Sequence, residues 1–133
     1  MSDDPAPEED ESRRQRGLEL MKHVYGWDVD QVEGPFLTQT VDHLFAEVWA
    51  AGKLSVRDRR LVLIGLCAGS GLEDVAGLQL DAALRLDELD AEDLRHLVVF
   101  LAHYAGWPRA ARLNTEVEAV IARHRRPAPP PDP

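Results

Sequence analysis

Leu94, Leu97, Val98, Leu101 and Ala105 recur at i, i+3, i+4, i+7 and i+11. That period turns one apolar stripe along a helix and does not fit a strand, which would bury every second residue. The same period governs the rest of the chain's interior, with no alternating, β-branched-rich run between turns. Glycine and proline punctuate it. A first helix is expected over Ser12 to Tyr25, stopping at Gly26. After the irregular stretch WDVDQVEGPF, a second helix runs from about Pro35 to Ala51. Ser55 and Asp58 form a capping-box pattern for a third helix reaching Ala68, and Gly69-Ser70-Gly71 breaks it. A fourth helix spans Glu73 to Leu86 and carries Leu80, Ala83 and Leu84 at helical spacing. Asp90 suits the N-cap of a fifth, followed by Glu92 and Asp93 in its first turn. Gly106 ends that helix, and Pro108 suits the first turn of a last one extending to about His124. Leu61 to Ala68 is apolar on nearly every side, so the third helix is expected at the buried centre. The fold class is all-α, a single-domain bundle of about six helices.

The 12–124 segment is the expected domain. Residues 1–11 read as an acidic disordered tail and 125–133 (RRPAPPPDP from Arg125) as a Pro-rich one, since neither has an apolar period to bury. A net charge of −9 argues against a nucleic-acid or anionic-membrane partner. The N-terminus lacks the basic-then-apolar order of a signal peptide, and Leu61 to Ala68 falls well short of the roughly 20 residues that span a bilayer. The single cysteine, Cys67, excludes an intrachain disulfide, and a reducing, cytoplasmic location is the expectation.

Three segments resemble the carboxymuconolactone decarboxylase family: Tyr25 to Ala50, LSVRDRRLVLIGLCAG (Leu54 to Gly69), and HLVVFLAHYAGWPRA (His96 to Ala110) with its Tyr-Ala-Gly-Trp-Pro signature. The resemblance implies an all-α, alkylhydroperoxidase-D-like fold and a homo-oligomer, a trimer or hexamer. It also implies descent shared with two chemistries: decarboxylation of γ-carboxymuconolactone in aromatic catabolism, and thiol peroxidase activity by a Cys-x-x-Cys pair with a nearby histidine. By the family's pattern the thiols would stand at Leu72 and Val75 and the histidine at Gln79, so none of the three is present. Without a second thiol to resolve the mixed disulfide, the paired-thiol mechanism is excluded, and peroxidase activity is the least expected of these chemistries.

Decarboxylation needs a cation for the carboxylate, donors for the developing oxyanion and an acid to deliver a proton; the conjugated substrate is its own electron sink, so no cofactor is called for. Arg59 and Arg60 supply guanidinium forks, and Arg59 occupies the family's more constant arginine position. His43 and Glu47 stand i, i+4, where a carboxylate beside an imidazole raises its pKa and fixes its tautomer. His103 adjoins the Gly-Trp-Pro turn. The candidate catalytic set is therefore His43, Glu47, Arg59 and His103, with Arg60, Gln79, Tyr104 and Trp107 as substrate contacts. Each has a plainer alternative: His43 and Glu47 as an exposed ion pair, the arginines as surface groups, Tyr104 and Trp107 as core or interface anchors. His96 and His103, i, i+7 apart with no third ligand, do not make a metal site. Glutamine cannot exchange a proton near neutrality, and Leu86-Asp87-Glu88 stands where the family has an Asn-Gly turn. Three readings follow, in this order: a cofactor-independent lyase on a small lactone or carboxylate, a non-catalytic ligand-binding or oligomeric member, and a thiol peroxidase, which rests on the resemblance alone.

Overall fold

The computed structural model describes residues 7–26, 28 and 31–125; residues 1–6 and 126–133, which make up most of both expected tails, lie outside it. Among the described residues the protein is all-helical, with six helices and no strand. It divides into two compact units, Met1–Val56 and Arg57–Pro133.

In the first unit α1 spans Pro7–Tyr25, and α2 begins at Pro35–Gln39 and continues as a π-helix over Thr40–Trp49. The start of α1 corrects the sequence reading. Pro7 to Glu11, read as tail, is its first turn, where Glu8, Glu9 and Asp10 meet the positive end of the helix dipole. α1 packs on the π-helix through Val24, Val41 and Phe45, all buried. Phe45 meets the Tyr25 ring edge-on at 5.6 Å and stacks on Trp49 at 5.7 Å. Gly17 sets the distance of closest approach, because a Cβ there would collide with the Val41 carbonyl. Arg14 closes the face from outside, donating through Nε and Nη2 to the two Asp42 oxygens at 3.1 and 2.8 Å.

The second unit holds α3 (Val56–Gly69), α4 (Glu73–Arg85), α5 (Ala91–Ala105) and α6 (Trp107–Arg125). α6 packs on both α4 and α5 around a core that includes Ile64, Leu80, Leu94, Val98, Leu113 and Val117. The Asp90 cap forms as expected: its side chain accepts from the Asp93 N–H at 2.7 Å, and Asp93 returns the bond at 3.0 Å. A single residue, Gly106, joins α5 to α6 at φ 99°, a backbone conformation open to glycine.

The third helix is not the buried centre. Ile64 and Ala68 face the core, but Val62 and Leu66 are 64% and 61% exposed. The helices around it cover one stripe of α3 and leave its opposite apolar face bare.

Candidate functional site

The most enclosed polar cluster is built on α3. Arg60 stands one turn before Ile64 and two before Ala68, so its side chain enters the unit on the core stripe, fully buried. A guanidinium there needs compensation. Its Nε donates to Glu88 Oε1 and Oε2 at 2.7 and 2.9 Å, and its Nη1 donates to Gln79 Oε1 at 2.8 Å. Glu88 is brought in by the α4–α5 turn, where Asp87 adopts φ 55°. Aspartate tolerates that left-handed conformation better than most residues, so Leu86-Asp87-Glu88 turns the chain without an Asn-Gly pair. The Arg57 Nε also donates to the Glu88 carbonyl at 3.1 Å, fixing the turn from the side.

Sequence reasoning named Arg60 and Gln79 as substrate contacts and missed Glu88. The structure places all three in one internal network, with the arginine's charge matched by Glu88 and the glutamine carbonyl occupied. Arg59, ranked above Arg60 on the sequence, sits half-buried at the next position round the helix.

His103, Tyr104 and Trp107 gather at the α5–α6 turn. The His103 Nδ1–H donates to the Val99 carbonyl at 2.8 Å, and its ring lies edge-on to Trp107 at 6.3 Å. Tyr104 is 80% exposed and tilts against Phe100. Trp107 walls a cavity of about 270 Å³ with Val98, Val99, Ala102, Ala110, Ala111 and Asn114. That lining holds one polar side chain capable of hydrogen bonding beyond the indole, Asn114, and no cation.

His43 and Glu47 belong to the first unit. His43 Nδ1 lies 3.2 Å from Glu47 Oε2, and Arg13 Nη1 donates to Glu47 Oε1, also at 3.2 Å. The His43 contact, with Arg13 behind it, holds the Glu47 carboxyl below the usual carboxylate range. Both side chains of the pair are largely exposed. The structure thus pairs Arg60 with Gln79 and His103 with Trp107 within the second unit, and His43 with Glu47 within the first.

Burial pushes the half-buried Cys67 thiol up, and Asp74 adds to the effect, so the thiolate is disfavoured. Among the described residues no group of three His, Cys, Asp or Glu side chains is placed to hold a metal ion. Nor is any helix among them long and apolar enough to cross a membrane.

No curated protein and no solved structure matches the chain. The sequence model of the carboxymuconolactone decarboxylase family matches residues 34–119, well over half of the chain and across both units. The matched region takes in the Arg60 network, the Trp107 turn and the His43–Glu47 pair. The chain belongs to the carboxymuconolactone decarboxylase family.

Proposed function

We propose that this family member binds a small, largely apolar ligand and assembles with copies of itself, without the proton-transfer chemistry of the decarboxylases. The Arg60–Glu88–Gln79 network carries this reading. A decarboxylase needs a cation free to grip a carboxylate and an acid able to release a proton. Here the buried cation is matched by an internal carboxylate, and residue 79 is a glutamine. The cavity beside Trp107 offers an apolar wall with Asn114 to orient a ligand, which suits recognition more than charge stabilisation. One cysteine with a raised thiol pKa gives no support to peroxidase chemistry. The lone thiol does fit a reducing, cytoplasmic setting.

The direct test is CO2 release from γ-carboxymuconolactone. The expected result is no release above the uncatalysed background; a defined turnover defeats the proposal. A second reading, the cofactor-independent lyase, draws on His43, whose Nδ1 contact with Glu47 orients the ring. Turnover that vanishes in both His43→Ala and Arg59→Ala would establish that reading instead.

A further inference from the structure

Glu73 opens α4, is only 4% exposed, and its Oε1 is fully enclosed with no hydrogen-bond partner. It lines a cavity of about 290 Å³ with Gly71, Asp74, Arg112, Thr115 and Glu116, from the start of α4 and the facing stretch of α6. Burying a carboxylate without a donor or cation is strongly unfavourable. The helix N-terminus offsets part of this, but Asp74 shares the same turn and Glu116 lies against the same helix. Gly77 makes room for Glu116: a Cβ there would lie 3.3 Å from its Oε2. Three carboxylates therefore border the cavity against one guanidinium, that of Arg112, in a protein already at net charge −9.

The missing partner is a cation, and its size can be argued. These carboxylates are not grouped as ligands of a metal ion. An extended organic cation satisfies them differently, with separate N–H groups reaching separate oxygens. We propose that the cavity binds a small organic cation with several N–H donors, a diamine or guanidino-amine, anchored on Glu73 and supported by Asp74 and Glu116. The site shares no lining residue with the Trp107 cavity, so it stands or falls independently of the ligand proposed there.

Titration calorimetry and thermal unfolding of the full chain with putrescine and with agmatine, at physiological salt to screen diffuse attraction, test the idea. The expected result is saturable binding at one site with a rise in Tm. Glu73→Gln should weaken it by about tenfold or more, and Glu116→Gln by less. Arg112→Gln, which removes the resident positive charge, should tighten it, while Asp28→Asn, outside the cavity, should leave it unchanged. The proposal is overturned if neither amine saturates a site, or if binding is equal in Glu73→Gln. It is also overturned if magnesium or calcium ions bind there as well as the amines do.

Discussion

Arg60 shows how a single position can be read correctly as important and wrongly as available. Its guanidinium is enclosed, so removing it strands Glu88 in a partly buried setting. Arg60→Ala should cost about 3–5 kcal/mol in denaturant unfolding, whereas the paired replacement Arg60→Met with Glu88→Leu should recover most of that loss. Equal losses in the single and paired variants would mean the ion pair is not what holds α3 to the α4–α5 turn. Glu47 makes a different prediction, in pH. Its folded carboxyl lies below the ordinary value, so its contribution is present above the unfolded pKa of about 4.3 and is lost as pH falls through the folded one. Acid titration of stability should therefore show a small loss below that range that is absent in Glu47→Gln; an unchanged acid limb would contradict the His43 and Arg13 contacts. The identities of Arg60 and Gln79 were legible in the sequence, and so was a clue to their burial. Arg60, Ile64 and Ala68 are spaced i, i+4, i+8, on one stripe. Glu88 was not legible, because it reaches Arg60 across 28 positions from within a turn, where no periodicity points.

Helix ends were read well where local chemistry decides them. The Asp90 cap, the Gly106 stop and the Pro108 first turn are set within a few residues, and each forms as expected. The start of α1 was misread because acidic residues suit both a solvated tail and a helix N-terminus. The π-helical winding of Thr40–Trp49 was invisible, since i→i+5 bonding has no residue signature and depends on what packs alongside. Gly17 supplies part of that packing. In an ordinary helix interior Gly→Ala gains about 1 kcal/mol. Here the added Cβ meets backbone, which cannot rotate away, and Gly17→Ala should instead lose about 1–3 kcal/mol by overpacking. Thermal unfolding decides the sign; a more stable variant would mean that α1 does not lie this close to Val41.

The molecule as a whole carries apolar surface that its own helices do not cover. Val62 and Leu66 on α3, and Val99 and Phe100 on α5, are exposed although nothing about their chemistry favours water. Homo-oligomerisation, to a trimer or hexamer as the resemblance implies, would bury such residues. Phe100→Glu should then lower the mass found by light scattering while leaving the helical circular dichroism intact; an unchanged mass would place the interface elsewhere. Membership of the family was readable because it rests on order and spacing of segments, as the match over 34–119 reflects. The chemistry was less readable because it turns on which side chains neutralise one another, and that is settled by packing.

The one-residue link at Gly106 has a consequence for how copies of this chain can recombine. With only that residue between α5 and α6, the two helices have no slack to part and re-dock. They could separate if the link itself became helical, joining Ala91 to Arg125 in one helix kinked where Pro108 leaves the Tyr104 carbonyl unbonded, its α6 half then seeking its groove on another chain. A left-handed glycine stands against that joined helix. Any residue with a side chain at 106 removes that preference and leaves the break at Pro108 to hold the hairpin against exchange between molecules.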